Sequence, residues 1–145
     1  MVYLVKDYMR KDIATVDIET SAVEVSKIMS KKNVGYLIVL DKGQPAGIVT
    51  ERDLVQKVMA KEKNQSKTVV REFLSTPLIT VDPDATVEEA VKTMAKCGVR
   101  RLPVVRNNII YGMFTARDLA KHFNEYEDSV SRDIIKHMAL FSLPF

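Results

Sequence analysis

Cysteine and histidine are almost missing from this chain: one cysteine, Cys97, and two histidines, His122 and His137, in 145 residues. A lone thiol closes no internal disulfide and fits a reducing compartment. None of the three sits at a spacing that suggests a metal site or a Cys–His nucleophile pair, and no Ser/His/Asp set is apparent. The 5 glycines never fall into a P-loop or a Gly-x-Gly-x-x-Gly pattern, which excludes phosphate loops of those kinds. No apolar run is long enough to cross a bilayer. The segment Met1-Val2-Tyr3-Leu4-Val5-Lys6-Asp7 lacks the pattern of a signal peptide. These absences lead to the expectation of a cytoplasmic protein that is not an enzyme, carries no catalytic cofactor and binds no metal.

What the chain does have is ordinary bulk composition and an unusual internal order. Apolar residues make up 46% and charged residues 28%, as in a globular domain large enough to bury a core. The net charge of +3 permits an anionic ligand but does not by itself argue for nucleic acid. Thr50-Glu51-Arg52-Asp53-Leu54 returns 65 positions later as Thr115-Ala116-Arg117-Asp118-Leu119. At that offset residues 5–58 align with 70–123 without a gap. Thr15/Thr80, Asp17/Asp82, Glu24/Glu89, Met29/Met94, Leu37/Leu102, Val39/Val104 and Gly47/Gly112 are identical pairs. A register held that long marks a duplicated unit.

Each repeat reads the same way. Residues 4–9 and 69–74 form a short helical lead-in, followed by extended Thr15-Val16-Asp17 or Thr80-Val81-Asp82. Ser21-x-x-Glu24 and Thr86-x-x-Glu89 are capping boxes. The helices they open carry apolar faces at Ala22, Val25, Ile28 and Met29, and at Val87, Ala90, Val91 and Met94. Two hairpin strands follow in each copy, turning at Asp41-Lys42-Gly43 and at Asn107-Asn108. The second helix should face inward through Leu54, Val55, Val58 and Met59, and in its twin through Leu119, Ala120 and Phe123. The strands are apolar almost throughout, which implies cover on both faces. The expected fold is therefore α/β (α+β): two pseudo-symmetric β-α-β-β-α units packed through their sheets. Unit 1 is residues 1–62, a polar linker 63–68, unit 2 residues 69–124, and a C-terminal helix with an apolar tail residues 125–145. The tail is expected to cover either its own core or, by preference, a second subunit.

The repeated phrase, glycine, two apolar residues, threonine, two residues, aspartate, places Thr and Asp where a strand ends and a helix begins. Backbone N–H groups at a helix start favour anions. The same residues also suit a purely structural role, Thr capping the helix and Asp standing in its first turn. Gly47 and Gly112 suit close strand packing as well as a ligand.

Two such phrases in register, together with the strand Val99-Arg100-Arg101-Leu102-Pro103-Val104-Val105, resemble a tandem cystathionine-beta-synthase (CBS) domain pair. The resemblance covers residues 5–123, and the first copy departs from it by having Ile38 where the second has Pro103. It implies a regulatory module for an adenosine-containing ligand, AMP before ADP, ATP or S-adenosylmethionine, held in clefts between the units. It implies a homodimer, a disc of four units, that signals to an effector protein. The motif Asp would accept from the ribose hydroxyls. One cleft would use Thr115, Asp118, Met113, Arg100 and Arg101, with Ile13, Ala14, Val34 and Gly35. The other would use Thr50, Asp53, Ile48, Gly35 and Tyr36, with Leu78, Ile79, Val99 and Arg100. The arginines make the Asp118 cleft the expected tighter site for a phosphorylated ligand. The alternative is a ligand-independent dimerisation scaffold or a nucleic-acid-associated protein. Against nucleic acid, basic residues alternate with acidic ones and aromatics do not interleave with them.

Overall fold

The computed structural model describes residues 2–122. The expected inward position of Phe123 and the C-terminal helix and tail over 125–145 lie outside the described residues. The chain divides into two compact units, one made of residues up to Asp12 together with those from Ile79 onward, the other of Ile13–Leu78. They are called here the Asp118 unit and the Asp53 unit. Their limits differ from the sequence halves 1–62 and 69–124. Each lead-in belongs spatially with the opposite repeat, so 1–12 joins the second copy and 69–78 stays with the first. The period of a sequence repeat says where a pattern restarts, not which neighbours it packs against.

In the Asp53 unit a three-stranded sheet has the order β1 (Thr15–Asp17), β2 (Tyr36–Asp41), β3 (Gln44–Thr50). β1 runs parallel to β2, and β2 pairs antiparallel with β3 from Tyr36↔Thr50 to Asp41↔Gln44. The two-residue loop between β2 and β3, Lys42-Gly43, has positive φ at both positions (52° and 79°). That is the primed turn whose twist matches a hairpin. α1 (Ala22–Lys32) is capped by Ser21, whose Oγ accepts from Glu24 N–H at 3.3 Å. Only this half of the expected capping box forms. The helix buries Ala22, Val25 and Met29 against Val16, Leu37, Val39, Val49, Val70 and Phe73.

The Asp118 unit repeats this plan with small losses. Its hairpin joins β4 (Arg101–Arg106) to β5 (Ile109–Thr115) through Asn107-Asn108, again both at positive φ. Both hairpins shift register at the same repeat position, Val39/Leu40 and Val104/Val105. The expected strand at Thr80-Val81-Asp82 shortens to one parallel bridge, Val81↔Val104, with Val81 N–H donating to Pro103 O and Val105 N–H to Val81 O. α3 (Val87–Cys97) opens with the full capping box between Thr86 and Glu89 and closes on Gly98 at φ 66°, the left-handed C-terminal position that glycine supplies. Its face Val87, Ala90, Val91 and Met94 packs with Val5, Leu102, Val104, Phe114 and Leu119.

The second helices differ from expectation. α2 (Glu51–Asp53) is a single α turn that continues as a π-helix over Leu54–Met59. The wider π turn rotates the following side chains away from α-helical phase. Val58 is buried, whereas Val55 and Met59, expected inside, are each 59% exposed. In α4 (Ala116–Lys121) Leu119 is buried but Ala120 faces solvent. Leu37, Ile38 and Val39 in succession are fully buried, so both faces of β2 are covered, as the unbroken apolar run predicts. No helix among the described residues is long and apolar enough to cross a bilayer.

Candidate functional site

Both repeated phrases fold into the same corner. β3 ends at Thr50 and β5 at Thr115, each with an extended backbone, and a helix starts at the next residue. Thr50 Oγ1 accepts from Asp53 N–H at 3.1 Å while Asp53 Oδ2 accepts from Thr50 N–H at 2.9 Å and from its hydroxyl at 3.1 Å. At Thr115 and Asp118 the matching distances are 3.2, 3.0 and 2.9 Å. The structural role of the motif is therefore made in full. The first amide of each helix is engaged too, Glu51 N–H on Gly35 O and Ala116 N–H on Arg100 O. Two of the amides at each corner that the sequence offers to an anion are thus spent inside the unit. Asp53 and Asp118 are nonetheless buried carboxylates, 6% and 5% exposed, each with one oxygen, Oδ1, left over from the cap.

The leftover oxygen meets different chemistry in the two units. Asp53 Oδ1 lies 2.9 Å from Lys57 Nζ and accepts from Ser75 Oγ at 2.9 Å. Lys57 also donates to Phe73 O at 3.3 Å. Asp118 Oδ1 has a longer contact, 3.4 Å, with Arg10 Nη2. It borders a hollow of about 270 Å³ lined by Tyr8, Met9, Arg10, Asp12, Lys121 and His122 as well as Asp118 itself. The His122 ring stands edge-on to Tyr8, with centroids 5.1 Å apart.

The lead-ins place these partners. Arg10 N–H donates to Met113 O and Met113 N–H to Arg10 O, both at 2.9 Å; Ser75 and Ile48 exchange the same pair at 2.8 and 3.1 Å. Such an approach needs glycine next door. A Cβ on Gly112 would stand 2.5 Å from Arg10 O, and one on Gly47 would stand 2.7 Å from Ser75 O. The close-packing reading of both motif glycines is the one with a visible cause.

Of the residues grouped around Asp118 in sequence, Thr115, Met113, Arg100 and Arg101 share its unit, whereas Ile13, Ala14, Val34 and Gly35 belong to the Asp53 unit. Thr50, Ile48, Gly35, Tyr36 and Leu78 share a unit with Asp53; Ile79, Val99 and Arg100 belong to the other. Arg101 opens β4 opposite Thr115, and Tyr36 stands opposite Thr50. Sequence reasoning missed Arg10, Ser75, Lys57, Lys121 and His122. Lys57, four residues after Asp53, carried a readable signal as a helical ion pair. Arg10 carried none, because its contact spans 108 positions.

The same capped corner in both units defines a tandem repeat of one fold unit, and its family can be stated. The chain belongs to the CBS domain family, matching it at residues 5–60 and 70–125. Tandem CBS domains are in general regulatory ligand-binding modules. The chain is 39% identical over 117 residues to an uncharacterized protein of Methanopyrus kandleri, covering 79% of this chain and 60% of that one. It is 34% identical over 116 residues to the CBS domain-containing protein YhcV of Bacillus subtilis, covering 80% and 82%. Among solved structures it is similar to the hexameric CBS-CP12 protein from bloom-forming cyanobacteria, with a TM-score of 0.78, 26% identity, and 88% of this chain and 77% of that chain covered.

Proposed function

We propose that the protein is a regulatory module for an adenosine-containing ligand, AMP foremost, held by its ribose diol on the motif aspartate. Binding would alter the arrangement of the two units and so signal to a partner protein. The observation that carries this reading is the edge of Asp118 that lies outside the cap, where Oδ1 meets, among the described residues, only a 3.4 Å contact from Arg10. Its cap uses Oδ2, its Oδ1 borders a hollow, and Arg10 and Lys121 stand in the same wall. A carboxylate oxygen suits a diol as acceptor, and guanidinium and ammonium groups suit a phosphate. Thr115, Met113, Arg100 and Arg101, in the same unit, complete the proposed surroundings. Self-association as a homodimer belongs to the same proposal, supported by the hexameric state of the cyanobacterial CBS-CP12 protein.

Thermal melting with and without AMP tests it. A ligand held only by the folded state adds about 2.7 kcal/mol at a hundred times its Kd, which raises the midpoint by several degrees. Asp118→Asn keeps one carbonyl oxygen for the cap but presents an amide in place of the second carboxylate oxygen, and its midpoint should not respond. An unresponsive wild-type protein at millimolar AMP overturns the reading. Binding of RNA or DNA that collapses as salt rises would favour the nucleic-acid alternative instead.

A further inference from the structure

We infer that the Asp53 carboxylate is closed to ribose by its own unit, that each chain takes one nucleotide, on Asp118, and that Lys57 and Ser75 set this choice. The inference rests on the adenosine-ligand reading above and adds which aspartate is used and why.

The two corners are alike up to the cap and diverge at Oδ1. A carboxylate oxygen offers two lone-pair directions. At Asp53 this oxygen is engaged twice, in an ion pair with Lys57 Nζ and as acceptor from Ser75 Oγ, each at 2.9 Å. The ammonium is itself pinned, reaching Phe73 O at 3.3 Å and Ser75 Oγ at 3.5 Å. A diol arriving there would have to displace an ammonium ion paired with the carboxylate, putting uncharged hydroxyl donors in place of a charged one.

The repeat register shows what the Asp118 unit has instead. The position of Lys57 is taken by His122, that of Ser75 by Arg10, and that of Gln56 by Lys121. His122 turns its ring to Tyr8, and the helix thus sends no ammonium from that position to the carboxylate. Arg10 comes from the lead-in and approaches Oδ1 only to 3.4 Å, with its side chain 38% exposed. One contact at 3.4 Å, in place of two at 2.9 Å, leaves less at Oδ1 for an incoming diol to displace. The hollow lies on this carboxylate. Duplication has therefore left two copies of one corner, and substitutions at two positions, 57/122 and 75/10, have stoppered one and opened the other.

Titration calorimetry of the full chain with AMP separates the outcomes. Wild-type protein should bind about one AMP per chain, Asp118→Asn should bind at least about tenfold more weakly, and Asp53→Asn should stay within about twofold of wild type, a tenfold change being 1.4 kcal/mol. The double variant Lys57→Met, Ser75→Ala should raise the stoichiometry toward two. Melting without ligand reports whether that variant folds; if it does not, Ser75→Ala alone, which removes one of the two donors, should add weak second-site heat at high AMP. Two equal sites in the wild type, or equal losses from the two Asp→Asn changes, overturn the inference while leaving the ribose reading in place. No AMP heat from any variant overturns the ribose reading and the inference with it.

Discussion

Replacing Gly112 with alanine should cost about 2–4 kcal/mol, and the reason is local. The added Cβ would stand 2.5 Å from Arg10 O and 2.8 Å from Met9 Sδ. Carbon contacts settle near 3.5–4.0 Å, so the lead-in must withdraw by roughly 1 Å. Withdrawal strains the two hydrogen bonds that join Arg10 and Met113, each 2.9 Å long and each contributing about 1 kcal/mol net. Overpacking adds about 1–3 kcal/mol. Gly98→Ala is the comparison. It meets nothing within 4 Å but keeps a φ of +66°, a backbone cost of about 1–2 kcal/mol. Urea unfolding of both variants, with unchanged slope, gives the two costs. Amide exchange at Arg10 gives a local readout, since its N–H should lose protection in Gly112→Ala and keep it in Gly98→Ala. If Gly112→Ala proves no costlier than Gly98→Ala, or leaves the Arg10 amide protected, the motif glycine does not serve lead-in docking and the account of how Arg10 reaches Asp118 fails.

Further outcomes follow from the packing and the surface ion pairs. Val58→Ala should cost about 2 kcal/mol as a buried deletion, while Met59→Ala, on the exposed side of the π turn, should stay within about 0.5 kcal/mol; chemical denaturation of the pair distinguishes π from α phase. Arg106 donates to Asp82 at 2.6 Å and to Asp84 at 2.7 Å, and this hydrogen bonding is the largest cause holding both carboxyls below the ordinary aspartate range. A lowered folded-state value means stability that is present above the unfolded value and lost as pH falls through the folded one. Denaturation of Arg106→Ala should therefore show a small deficit at neutral pH that starts to shrink below about pH 4, near the ordinary aspartate value, disappears only at lower pH, once both carboxyls are protonated in the folded state, and is reduced in high salt.

Much of the fold was legible because its signals are local. Thr86 and Glu89 cap α3, Gly98 ends it, and Lys42-Gly43 and Asn107-Asn108 turn the hairpins, each through contacts a few residues apart. The offset of 65 carried these from one copy to the other. The illegible parts depend on distant neighbours or on backbone choices between near-equals. Nothing in Val55 or Met59 announces a π turn. Nothing in 80–82 announces that its strand shortens to a bridge. Most of all, the lead-in of each repeat packs with the other copy, so Arg10 meets Asp118 and Ser75 meets Asp53. The reading of the two corners inherited this limit: the aspartates and the threonines they cap with were visible, but the groups that make one carboxylate unlike the other were not.

The central claim is that a capped aspartate recognises a ribose by its diol, and the affinity ratio of AMP to 2′-deoxy-AMP on the wild-type chain tests it most directly. Loss of one hydroxyl from a charged hydrogen bond should weaken binding by about 1.5–3 kcal/mol, roughly tenfold to more than a hundredfold. Equal affinities for the two nucleotides would contradict the claim, because the carboxylate edge of Asp118 would then be reading something other than the sugar.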